Sequence, residues 1–234
     1  MEREAILDDM LRGWDPPPGK EIRKDLLYIL GAFSPNQLDR MQRAGVRFWS
    51  GGGPLAGNKA KVEVPAGKTQ YLPQVRVVSL GPKVSVPAVR HELAHAWDHV
   101  RTFNEKELRR IDGLNEKDLE AVLKHKIRMY SDSHGIGKMW QHYRKRMEKL
   151  LREDAFDLGA REDYSTTSPQ EFYAEGYAVF HSNQPSNQAR LLLYARELYD
   201  FLEKEAKTQG LVTPERAVLE KQIKQENLPP PPEI

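Results

Sequence analysis

A chain of 234 residues, 39% hydrophobic and 30% charged, is long enough for one sizeable domain with its own core plus helical additions. Its 36 basic and 34 acidic side chains leave a formal charge of only +2, so nothing global calls for nucleic acid or an anionic membrane, and any basic patch is local. The chain has no cysteine, which excludes disulfides, thiolate catalysis and cysteine zinc ligands; metal chemistry must use His, Asp and Glu.

No stretch approaches the roughly 20 apolar residues that span a bilayer, so a soluble chain is expected. The opening MEREAILDDMLRGW is acidic and amphipathic, unlike the basic segment and apolar run of a Sec-type export signal. Residues 3–13 and 21–32 carry helical periodicity and are separated by DPPPGK, whose prolines enforce an extended break, giving a helical lead-in over 1–33. Ser34-Pro35-Asn36-Gln37 has the form of an N-cap, Pro at the first helical position and Gln at N3, opening a helix that should end at Gly45. Val46, Phe48 and the run QVRVVSL at 74–80 alternate or cluster apolar residues between Gly51-Gly52-Gly53 and Gly67 or Gly81, which predicts a small sheet of about three or four strands. Ser85-Val86-Pro87 starts the next helix.

From Phe103 to about Glu153 the pattern is helical and highly charged, broken by SDSHGIG at 131–137. A helix starts at Ser168-Pro169, and another covers 186–207, where Leu191, Tyr194, Ala195, Leu198, Tyr199 and Leu202 form an apolar stripe. A short last helix begins at Thr213-Pro214, and the tail LPPPPEI should be an extended polyproline segment rather than core. The expected class is α+β: a small mixed sheet, a site-bearing helix and a helical C-terminal half. The main body covers 34–207, with a charged helical stretch at about 103–160, and a short helix and Pro-rich tail cover 208–234.

The stretch HELAHAWDH at 91–99 carries the chemistry. His91 and His95 are one helical turn plus about 40° apart, so both imidazoles project from one face and can meet one ion. His99 lies about 12 Å along the axis from His91, too far to share that ion, and a solvated or core-edge role is expected for it. Glu92 is displaced around the helix toward the open coordination position, where it can take a proton from a water the metal activates, which is the mechanical content of HExxH. The apolar Leu93, Ala94, Ala96 and Trp97 fit a buried active-site helix and an ordinary core helix alike.

A third ligand must come from elsewhere, and the best stretch is YSTTSPQEFYAEGYAVFHS at 164–182. Glu171 and Glu175 are one turn apart on an otherwise apolar helix, where carboxylates need partners. Glu171 can ligate zinc, and Glu175 can accept the second N–H of His91 and fix its tautomer. Equally, Ser168-Pro169-Gln170-Glu171 fits a capping box in which Glu171 reaches back to the Ser168 backbone. Spacing alone leaves both uses open.

HELAHAWDH followed downstream by Tyr164, six residues and then EFYAE resembles the protease domain of anthrax lethal factor and the related Pro-Pro endopeptidases, a branch of the gluzincin metalloproteases. The resemblance covers roughly residues 34–205. It implies a zincin fold, one zinc ion on His91, His95 and Glu171, Glu92 as general base, Tyr164 as a phenol donor to the oxyanion, and Glu175 in support. It implies a protein or peptide substrate and a secreted or delivered bacterial enzyme. The interval between His95 and Glu171 is longer than in the family, as though about 30 residues of charged helix were inserted, so the resemblance carries the core chemistry and not the substrate specificity. A phenol ahead of the ligand helix makes physical sense as a donor to charge developing in the transition state; a loop tyrosine packed over the sheet is the plainer use.

Two other readings of the sequence differ in class. The segment 124–152, KHKIRMYSDSHGIGKMWQHYRKRMEKLLR, interleaves basic and aromatic residues, as in an HExxH protease acting on nucleic-acid-bound proteins with His134 as third ligand; a solvated helix face explains it more simply. A binding module with purely structural zinc and a docking polyproline tail is the non-enzymatic reading, against which Glu92 counts, because a closed structural site needs no base. The proteolytic reading expects a cleft between the sheet-bearing half and the C-terminal helices, with an edge strand at about 74–80 pairing with an extended substrate. The segments DPPPG and LPPPPE make a Pro-rich substrate conceivable, although such runs are commonly stiff linkers.

Overall fold

The computed structural model describes residues 3–12, 14, 17–50, 53–54, 63–64, 68–81, 84–111, 129–132, 135–152 and 164–233. The chain divides into two compact units, Met1–Tyr130 and Ser131–Ile234. The class is α+β, mostly helical with a small mixed sheet.

The first unit contains α1 (Arg3–Met10), α2 (Lys20–Leu30), α3 (Pro35–Arg43), β1 (Arg47–Ser50), β2 (Gly53–Pro54), β3 (Glu63–Val64), β4 (Gln70–Leu72), β5 (Val77–Leu80), α4 (Val86–Val100) and α5 (Glu105–Ile111). The start of α3 is the predicted capping box: Ser34 Oγ accepts from Gln37 N at 3.2 Å and Ser34 N donates to Gln37 Oε1 at 2.8 Å. The helix ends as predicted too, with Gly45 at φ 77° and Val46 N–H returning to Met41 O at 2.9 Å.

β5 lies in the middle of the three-stranded sheet, parallel to β1 and antiparallel to β4. All four of its residues are buried, as a strand covered on both faces requires. The expectation of an edge strand at 74–80 is therefore corrected. Residues 73–76 form the turn that joins β4 to β5, with Val75 N–H on Leu72 O and Arg76 at φ 53°, and the edges are β1 and β4. β2 and β3 form a separate antiparallel pair.

α4 packs against α2, α3, β4 and β5. Because it is covered on several sides, its buried residues run almost without a break from Val89 to Val100, Glu92 being the exception at half-buried. The lead-in helices contribute to the same core through Ile6, Leu7, Met10, Leu26, Ile29 and Leu30.

The second unit contains α6 (Ile136–Arg152), α7 (Tyr164–Thr167), α8 (Pro169–Phe180), α9 (Pro185–Tyr194), α10 (Arg196–Thr208) and α11 (Arg216–Gln225). α8 is central, packed by α6, α7, α9 and α10. The helix expected over 186–207 is two helices, broken at Ala195 with φ −124° and ψ 46°, and both halves turn their apolar residues onto α8. The tail also departs from expectation. Asn227 at φ 53° closes α11, Leu228 is buried, and Tyr194 Oη donates to Pro229 O at 3.1 Å, so the start of the Pro-rich segment belongs to this core.

Candidate metal centre

His91 and His95 leave α4 on one face, as residues i and i+4 must, and both are buried, 6% and 7% exposed. Their Nε2 atoms stand 3.1 Å apart with the rings edge to face at a centroid distance of 4.7 Å. Two nitrogens at the usual distance of about 2.05 Å from one tetrahedral zinc are separated by about 3.3 Å, so this pair of imidazoles already has nearly the spacing of a chelate.

Glu171 lies in the first turn of α8, capped by Ser168, whose Oγ accepts from the Glu171 N–H at 3.2 Å. This cap uses the backbone N–H of Glu171 and not its carboxylate, so the Ser168 cap by itself leaves ligation by the Glu171 side chain possible. Among the described residues, His91, His95 and Glu171 form a group whose ligand atoms, one from each, all lie within 4.8 Å of one another. Two imidazoles and one carboxylate are the donor set of an open zinc site, a set that other imidazole-binding divalent ions share.

Glu92 follows His91 on α4, and its Oε2 accepts from the backbone N–H of Tyr71 in β4 at 2.6 Å. Glu175 sits one turn beyond Glu171 on α8, half-buried, and lines a small apolar cavity with Phe172, Gly176, Leu191 and Leu198. Tyr164 opens α7, and its side chain lies outside the described residues, as does His134. The α7 segment is tied to α6 by Tyr143 Oη on Ser165 Oγ at 3.0 Å and by Trp140 Nε1–H on Thr166 O at 3.2 Å.

Those two contacts bear on the basic and aromatic segment. Tyr143 is buried and stacks on Phe172 at 4.8 Å, and the Trp140 indole N–H is engaged, so both aromatics serve packing within this unit, while Arg144, Lys145 and Lys149 are exposed. The aromatic platform that single-stranded nucleic acid needs is not presented by these two residues.

His99 is corrected from a solvated or edge position to a core one: it is 0% exposed, packs edge to face on Phe103 at 5.2 Å, and has its Nδ1 2.9 Å from Tyr71 Oη. Burial holds the Tyr71 phenol above its ordinary pKa, outweighing the opposing influence of Arg76, so the phenol stays protonated. Tyr71 is the residue that the sequence reading missed. It stands between Gln70 and Leu72 in a strand of three residues, so no local pattern marks it; the available hint is that His99, seven residues after Glu92, shares a helix face with that glutamate. No protein-family model matches the chain, and comparison with curated proteins and with solved structures found no similar one.

Proposed function

We propose that the chain is a zinc-dependent endopeptidase of the zincin type, similar in its site to the lethal factor-like gluzincins, with one ion held by His91, His95 and Glu171. The observation that carries this reading is the convergence of those three ligand atoms within 4.8 Å, with the Glu92 carboxylate one residue beyond the first of them. When bound, the metal would supply Lewis acidity, polarising a peptide carbonyl and lowering the pKa of a water. Glu92 takes the proton of the attacking water and passes it to the leaving amine. Tyr164 donates its phenol hydrogen to the oxyanion as charge develops, and Glu175 orients His91 through its second ring nitrogen. The substrate is a protein or peptide lying extended along a sheet edge, β1 or β4, with a Pro-rich sequence as one class to include in the screen. A secreted or delivered enzyme is the setting this resemblance suggests.

The test is metal content and cleavage of a peptide library by wild type, Glu92→Gln and Glu171→Ala. One zinc per chain in wild type, a full metal load with at least about 100-fold less turnover in Glu92→Gln, and a weakened site in Glu171→Ala are expected. Unchanged cleavage by Glu92→Gln sinks the mechanism, and a metal-loaded wild type that cleaves nothing favours a structural ion.

A further inference from the structure

Glu92 and His99 are seven residues apart on α4, two turns whose net rotation is only about 20°, so both side chains leave the helix on the same face. Tyr71, in the middle of β4, meets both of them. Its backbone N–H donates to Glu92 Oε2 at 2.6 Å, and its phenol oxygen lies 2.9 Å from His99 Nδ1. One residue of the strand is thus attached at two points, two turns apart, to the helix that carries His91 and His95.

We propose that Tyr71 and His99 are positioning residues for Glu92: their buried phenol–imidazole bond fixes β4 along α4 so that the Tyr71 N–H holds the carboxylate in one orientation. This rests on the reading of Glu92 as the proton carrier. A glutamate has three side-chain torsions, and a directed backbone donor removes most of that freedom. The strand supplying the donor is itself weakly held, because β4 is three residues long and paired only on the β5 side. The phenol–imidazole bond provides the missing attachment at the far end of the same residue. The protonated phenol can donate to Nδ1 or accept from an Nδ1–H, so the bond forms with either tautomer of the His99 ring. Phe103 packs on the imidazole and leaves it little room to turn. Breaking the bond costs direction at Glu92 without touching a metal ligand.

The experiment follows the amide of residue 71 by hydrogen exchange in the uniformly 15N-labelled full chain, alongside zinc content, kcat and KM on a peptide that the wild type cleaves. The variants are Tyr71→Phe, which keeps the ring and the N–H, His99→Leu, and His99→Asn, whose amide can stand where Nδ1 stands. Exchange about 10-fold faster, kcat down about 10-fold, and KM and zinc content unchanged are expected for Tyr71→Phe and His99→Leu, with His99→Asn recovering most of both losses. An unchanged exchange rate in Tyr71→Phe overturns the attachment, and faster exchange with undiminished kcat overturns the positioning role. Equal losses in His99→Asn and His99→Leu would also count against it, since general core damage gives no rescue. A wild type without peptidase activity overturns the enzyme reading instead, and the exchange data then decide the attachment alone.

Discussion

At the scale of single residues, the side chains with the hardest job are those whose neighbours leave no latitude. Gly176 sits in α8, and a Cβ built there would come 2.3 Å from Leu198 Cδ2 and 3.2 Å from its Cγ. Leu198 is 0% exposed, and the small apolar cavity that it lines with Gly176 gives it limited room to yield. Gly176→Ala should therefore lower stability by about 1–3 kcal/mol despite improving helix propensity, which thermal denaturation would show as a depressed Tm. An unchanged or raised Tm would mean that Leu198 repacks freely. His91, His95 and Glu92 were legible in the sequence because the geometry relating them is that of one helix and needs only their spacing. Glu171 was half legible: local pattern allowed a cap or a ligand, and the carboxylate's companions are distant in the chain. Tyr71 was illegible, since its partners lie 21 and 28 positions away and nothing in Gln70-Tyr71-Leu72 refers to them.

At the scale of elements, helix starts read best and helix breaks worst. Ser34 and Ser168 announce α3 and α8 because serine, then proline, then a side chain at N3 encodes the cap within four residues. The break at Ala195 carries neither glycine nor proline; it exists because α9 and α10 both reach α8 only if the chain turns there, a tertiary demand with no local code. The cap at α8 yields a separation of roles. Ser168→Ala should cost about 1 kcal/mol of stability in the metal-free chain and leave metal stoichiometry at wild type. Glu171→Ala keeps the capped N–H and should show the opposite pattern, a weakened metal site with little change in metal-free stability. Calorimetry of the metal-free proteins, followed by metal titration, distinguishes them, and matching losses in both variants would reduce Glu171 to a capping residue.

At the scale of the whole molecule, ion pairs tie helices together within each unit. In the first, Arg40 and Arg43 from α3 pair with Glu105 of α5. In the second, Arg216 of α11 pairs with Asp200 and Glu203 of α10, and its guanidinium hydrogen bond, helped by Lys207, holds the Glu203 carboxyl below its usual range against the opposing effect of burial. A depressed folded value means that the unfolded chain takes up the proton first. The stabilisation is therefore complete above about pH 4.3, the unfolded value, and is lost as pH falls through the folded one. Glu203→Gln should lower Tm by about 2–4 °C at pH 7, on about 1 kcal/mol, and the gap to wild type should narrow in melts taken progressively below about pH 4.3. A gap that persists there would show a packing role instead of an ionic one. The arrangement of the first unit also has a consequence in time. The apolar face of α2, with Leu26, Ile29 and Leu30, packs against α4, whose first residue is Val86. At a synthesis rate of about 5–20 residues per second, that face waits on the order of 3–12 s at the ribosome before its partner is made. The helices that finally bury the histidine-bearing segment are thus the first to need a chaperone, and a nascent chain stalled before α4 should be held by one.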